Sequence, residues 1–184
     1  AHKPEPDEIT INMDPGRAFG TGGHASTRLC LLLLDKLGHY PQAEPARARL
    51  QTSFGESGQA EILDVGCGCG VLALAALKLW PLAHALAIDI DPEAVEVTRE
   101  NTERNALTDR LSATTKGLQR IKGQFALEFG NLTGPTLHML CDDMVRRLAP
   151  GGVLIGSGIL TIESEGVIEA FVQRGLQLIE HLQE

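Results

Sequence analysis

Along the chain, short apolar runs alternate with stretches of helical period, and turn residues separate the two. Ile9, Ile11 and Met13 alternate with polar neighbours, the period of a short strand, which Asp14-Pro15-Gly16 then breaks. Residues 28–37 carry a greasy helix face. Residues 38–59 hold Pro41, Pro45 and a Ser/Gly-rich run with little periodicity, and they predict a long surface connection. A strand over 61–65 enters a glycine loop, and 71–80 is apolar nearly all round, as for a helix wedged against a sheet. Residues 83–88 form a continuous apolar run ending in Asp89, which predicts a buried parallel strand.

An amphipathic helix over 93–105 follows, then strands over 111–113 and 125–129 joined by a connection. The rest predicts a helix over 139–148, a turn at 150–152 and a strand over 153–156. A helix over 163–174, stopped by Gly175, and a sixth strand over 176–182 complete the pattern. Strands alternating with helices in this way predict a single α/β domain, a doubly wound and mostly parallel sheet with helices on both faces.

Composition narrows the class. With 184 residues the chain is one domain long, and 43% hydrophobic content suits a globular core. No uncharged run is long enough to span a bilayer and no basic-plus-apolar leader is visible, so the expectation is a soluble cytoplasmic protein. A formal charge of −8 argues against direct binding of nucleic acid and suits a basic partner. Four cysteines are too scattered for a disulfide framework, and Cys67-Gly68-Cys69 lacks a second Cys/His pair, so no metal site is expected.

Chemistry concentrates at Asp64-Val65-Gly66-Cys67-Gly68-Cys69-Gly70. Glycines there let a loop backbone approach a ligand closely and adopt positive φ between strand and helix. A dinucleotide fingerprint wants its third glycine three residues after the second; Val71 stands there, and Gly70 comes one residue early. The spacing resembles the first motif of S-adenosylmethionine-dependent methyltransferases. That cofactor is cationic and has no phosphate, so a carboxylate such as Asp64 suits it. Asp89, at the C-terminal end of the next strand, is placed to take two ribose hydroxyls, while Asp91 followed by Pro92 fills the helix-capping role.

Two further stretches carry a closer resemblance. Asp14-Pro-Gly-x-Ala-Phe-Gly-Thr-Gly-x-His24-x-x-Thr27 resembles the loop ahead of the catalytic core in the PrmA-type family, the ribosomal-protein methyltransferases that modify large-subunit protein eleven. Asn131-Leu132-Thr133-Gly134-Pro135 resembles the same family's Asn-Ile-Leu-Ala-Gly-Pro segment, and Ser157-Gly158-Ile159-Leu160 matches it again. Ala25-Ser26 departs from the family's pattern, as do Ala126, Glu128 and Gly130 in the strand before Asn131. Glu128 is an odd residue for a buried strand.

The resemblance, which covers about residues 9 to 182, implies N-methyl transfer from S-adenosylmethionine to lysine side-chain and N-terminal amines of a ribosomal protein. Carried over residue by residue, Gly66 and Gly68 admit the cofactor, Asp64 lies near its charged amino acid end and Asp89 holds the ribose. Thr27 closes over the cofactor. Asn131 meets both cofactor and substrate and is the catalytic residue, aiming the amine's lone pair through an acceptor oxygen. His24 reads as a structural hydrogen-bonding residue rather than a general base. Residues 1–8 read as a linker remnant and 9–184 as the catalytic domain, without the family's N-terminal substrate-recognition domain and final strand. The rival readings are a nicotinamide-dependent oxidoreductase, a methyltransferase of another amine, and a non-catalytic cofactor-binding domain.

Overall fold

The computed structural model describes residues 9–13, 23–52 and 61–184, so the expected linker at 1–8, the glycine-rich loop at 14–22 and residues 53–60 lie outside the described residues. Among the described residues five strands form one parallel sheet in the order β3-β2-β1-β4-β5: β1 (Ile62–Val65), β2 (Ala85–Ile88), β3 (Leu111–Thr114), β4 (Phe125–Asn131) and β5 (Leu148–Ser157). The order reverses between β1 and β4. A crevice therefore opens at the carboxyl ends of those two strands, where successive connections leave for opposite faces.

Among the described residues one face is covered by α1 (Ala25–Lys36), α2 (Glu44–Thr52), α3 (Val71–Leu79) and α4 (Pro92–Arg104). Leu34, Leu50, Leu74 and Val97 from these helices share one core with Ile62, Leu127 and Phe129 of the sheet. On the other face α5 (Gly134–Arg147) and α6 (Thr161–Val172) bring Leu137, Met144, Val167 and Phe171 onto Leu63, Val65 and Ile88. α3 is buried from Val71 through Leu77, which explains its apolar sequence. α4 starts as its residues predict, with the Asp91 side chain accepting from Glu93 N at 2.9 Å and Pro92 in the first turn.

Four expectations need correcting. The stretch 38–59 is not all connection, because α2 occupies Glu44–Thr52 and seats Ala46 and Leu50 in the core. Two apolar contacts on a charged nine-residue helix leave too little periodicity to detect. Ala149, Pro150, Gly151 and Gly152 do not separate β5 from a preceding turn. They bulge within it, between the pairs Phe125↔Leu148 and Leu127↔Val153, with Gly151 at φ +70°.

Residues 9–13 are not a strand either, although Ile11 and Met13 pack on the core as alternation required. Asn12 gives its backbone bonds to a side chain, donating N–H to Asn105 Oδ1 at 2.9 Å and accepting from Asn105 Nδ2 at 2.8 Å. Finally, 176–184 forms no ladder among the described residues. It is tied to α1 by the ion pairs Lys36–Glu180, at 2.6 Å, and Arg28–Glu184, and a cavity of about 720 Å³ lies between it, β5 and α6.

Candidate functional site

Register brings the candidate residues together. Val65 pairs with Ile88 on one side and Gly130 on the other, and Asn131 pairs with Ser157, so the ends of β1, β2, β4 and β5 lie side by side. The glycine loop leaves β1 at this level. Gly66 N and Cys67 N donate to Ile88 O at 2.8 and 3.1 Å, and Gly66, Gly68 and Gly70 have φ of +71°, +55° and +80°. At Gly66 a Cβ would lie 2.4 Å from Cδ2 of Leu132, the residue after Asn131, so a side chain there would have to displace Leu132 as well as adopt a φ of +71°. Gly70 is constrained by packing, since its Cβ would meet Thr98 of α4 at 2.9 Å.

The two acidic residues occupy different environments. Asp89 is half-buried at the loop, accepting from Gly68 N through Oδ2 and from Asp91 N through Oδ1, both at 3.0 Å. Asp64 lies beneath the loop, 1% exposed, and accepts from Ala73 N in the first turn of α3 at 3.3 Å. Burial pushes its carboxyl up to about 7 despite that hydrogen bond, and the neighbouring Asp89 charge adds to the rise.

Asn131 closes β4 and is partly exposed; its Nδ2 donates to Thr27 Oγ1 at 3.3 Å. Thr27 is fully buried in the first turn of α1, so its hydroxyl meets Asn131 rather than an open cleft. His24 caps that helix, its Nδ1 accepting from Ser26 N at 3.3 Å and lying 2.8 Å from Ser26 Oγ, in agreement with a structural role.

Several residues with no role assigned from sequence complete the site. Ser157 Oγ donates to Ser26 O at 3.0 Å, and Ser157 O accepts from Leu132 N at 2.9 Å, so β5 holds α1 and the Asn131 loop together. Gly158, at φ +82°, follows immediately; a Cβ there would lie 2.6 Å from Leu132 O and 3.2 Å from Asn131 Oδ1. The sequence signal was a polar residue and a glycine at a strand's carboxyl end. Thr98 Oγ1 donates to Gly68 O at 2.9 Å and Asn101 Nδ2 to Cys69 O at 3.0 Å, and both stand as polar residues on the buried side of α4.

Among the described residues no group of three or more His, Cys, Asp and Glu side chains is arranged to hold a metal ion. All four cysteines are buried and free; burial pushes the Cys30 thiol up to about 12 and raises Cys67 and Cys69 as well. Glu128 is fully buried on the α5 side of the sheet, between Leu63 and Leu154 in register. Neither of its carboxyl oxygens has a hydrogen-bond partner among the described residues, and burial pushes it up to about 8 against the pull of Arg147. No helix among the described residues is long and apolar enough to cross a membrane.

Comparison with known proteins places this geometry. The sequence model of the family described as ribosomal protein L11 methyltransferase matches residues 1–184. A ribosomal protein L11 methyltransferase from Geobacter metallireducens is 41% identical over 98% of this chain and 53% of its own length. One from a further Geobacter species is 40% identical over 96% of this chain and, again, 53% of its own. The chain spans about half the length of the curated relatives it matches. The crystal structure of a ribosomal protein L11 methylase from Lactobacillus delbrueckii subsp. bulgaricus superposes with a TM-score of 0.80 at 25% identity, covering 100% of this chain and 84% of that one.

Proposed function

Since the chain belongs to the ribosomal protein L11 methyltransferase family, we propose that it forms the methyl-transferring unit of such an enzyme, using S-adenosylmethionine. The observation that carries the reading is the juxtaposition of Asn131, the glycine loop and Asp89 at the switch point of the sheet. The donor set fits the cofactor. Two carboxylates beside a glycine turn suit a cationic ligand with sugar hydroxyls and would repel a pyrophosphate. Gly66 and Gly68 admit it, Asp89 takes the ribose hydroxyls with lone pairs not used by Gly68 and Asp91, and Asp64 lies toward the positively charged end. A nicotinamide dinucleotide fits less well, because Gly70 already caps α3 and Val71 begins the helix.

When bound, the cofactor supplies an activated methyl group, and the protein's task is alignment. Asn131 Oδ1 accepts a hydrogen bond from the incoming amine and aims its lone pair; Thr27 keeps the carboxamide from rotating. The amine must be neutral to attack, and free lysine has a pKa near 10.4, so exclusion of water by Leu132 and Ile159 around the site favours the uncharged form. On this reading the acceptors are lysine side-chain and N-terminal amines of a ribosomal protein, and residues 9–184 are the catalytic unit.

Calorimetric titration with S-adenosylmethionine, paired with methyl incorporation into ribosomal protein, tests this. Asp89→Ala should abolish binding; Asn131→Ala should bind and fail to transfer methyl. Binding absent from the unaltered chain, or transfer surviving in Asn131→Ala, would overturn the reading.

A further inference from the structure

The glycine loop is held on its buried side by α4. Gly68 has φ of +55° and no side chain, so its conformation is set by what its backbone groups bond to. Its carbonyl accepts from Thr98 Oγ1 at 2.9 Å, and the next carbonyl, of Cys69, accepts from Asn101 Nδ2 at 3.0 Å. Thr98 and Asn101 stand three positions apart on one face of α4, and both are fully buried. A threonine hydroxyl has one proton, and here it is used on Gly68 O; the Cys67 thiol, 3.4 Å from Thr98 Oγ1, is then the donor in that contact.

These bonds close a circuit that contains Asp89. Gly68 N donates to Asp89 Oδ2 and Asp91 N to Asp89 Oδ1, both at 3.0 Å. Asp91 caps α4, and Thr98 lies seven residues further along the same helix. The carboxylate is therefore suspended between the start of α4 and a loop residue that α4 itself holds through Thr98. Packing does not explain the hydroxyl. Thr98 Cγ2 lies against Gly70, where a Cβ would come within 2.9 Å, but valine has nearly the same shape and would supply that methyl without burying a polar group.

We infer that Thr98 is a positioning residue for the nucleoside end of the cofactor: its hydroxyl fixes the Gly68 backbone, whose N–H holds the Asp89 carboxylate in the direction that ribose hydroxyls meet. The inference rests on the cofactor reading proposed above. Being fully buried, Thr98 acts through Gly68 and Asp89 rather than by touching a ligand. Without the hydroxyl the Gly68 carbonyl is left unbonded in a buried place and turns toward other donors. That rotation is about the Gly68 Cα, which the carbonyl shares with the N–H bonded to Asp89.

The test is calorimetric affinity of the full chain for S-adenosylhomocysteine and for 5′-methylthioadenosine, which keeps the nucleoside and sulfur but lacks the amino acid end. Thr98→Val should weaken both ligands about tenfold, which corresponds to about 1.4 kcal/mol. Thr98→Ser, which keeps the hydroxyl and gives up the methyl, should bind both within about threefold of the unaltered protein. Melting temperatures are followed alongside, because a purely structural role lowers them and leaves the affinities alone. Affinities within about twofold of the unaltered protein in Thr98→Val overturn the inference. So does an equal loss in Thr98→Ser, or a loss for S-adenosylhomocysteine that 5′-methylthioadenosine does not share. If Thr98→Val fails to fold, Thr98→Ala is read in its place by the same criteria. An unaltered chain that binds no S-adenosylhomocysteine would instead reject the cofactor reading beneath it.

Discussion

Asn131, at the carboxyl end of β4, donates to the hydroxyl of Thr27, in the first turn of α1, at 3.3 Å across 104 positions of sequence. The bond engages the carboxamide through Nδ2, leaving Oδ1 out of that contact, and gives a buried threonine a purpose that packing alone does not require. Thr27→Val keeps the shape and removes the acceptor. Methyl transfer in that variant is expected to fall about ten- to hundredfold, as for a small misalignment of reacting groups, with cofactor affinity within about threefold. Thr27→Ser should retain most activity. Steady-state rates together with calorimetry distinguish these outcomes, and equal loss of rate in both variants would refute the orienting role.

On the proposed cofactor reading, Asp64 should link cofactor binding to pH. Its folded-state carboxyl stands at about 7, raised by burial, so in the free protein near neutrality it is partly protonated. A cationic ligand favours the ionised form, so binding should release protons below about pH 7. Affinity for S-adenosylmethionine is then expected to rise between pH 6 and 8. Titration in buffers of different ionisation enthalpy measures the proton release directly. Asp64→Asn should flatten the dependence, and a flat profile in the unaltered protein would contradict the assignment.

Glu128 should make stability fall as pH rises. Its folded carboxyl is raised from 4.5 to about 8 by burial, so the folded state retains a proton that the unfolded chain loses. Stability from this group is fully present below about pH 4.5 and is lost progressively up to about pH 8, at about 1.4 kcal/mol per pH unit. Glu128→Met fills a similar volume without an unbonded carboxyl. Its melting temperature should exceed that of the unaltered protein at pH 8 by more than at pH 5. A gain independent of pH would show that packing, rather than ionisation, is responsible.

Ala106 is left-handed, with φ of +54°, just past the end of α4. Leu107 N donates to Thr102 O and Ala106 N to Glu103 O, both at 3.0 Å, the paired bonds of a helix end that ordinarily takes glycine. Removing the exposed Cβ relieves the strain at a modest entropic cost in the unfolded chain. Ala106→Gly should therefore stabilise by about 0.5–1 kcal/mol in denaturant unfolding. Destabilisation would mean that the strain is already relieved by the local geometry.

The sequence by itself determined the features whose causes are local. The alternation of strands and helices from β1 to α6, the glycine loop, Asp89 at a strand end and the Asp91–Pro92 start of α4 each depend on a few adjacent residues, and each stands close to where its pattern placed it. Recognition of Thr27 and Asn131 came from motif resemblance, but their bond is a long-range contact that neither motif encodes. Tertiary structure alone decided that Asn105 would replace a strand partner for Asn12, turning an alternating strand pattern into a strap. It also decided that α2 would be held by two apolar residues, and that 176–184 would lie apart from β5. The reason is physical: periodicity reports which side of a segment faces apolar surroundings, whereas the partner that satisfies its backbone is chosen by whatever the folded chain brings within hydrogen-bond reach.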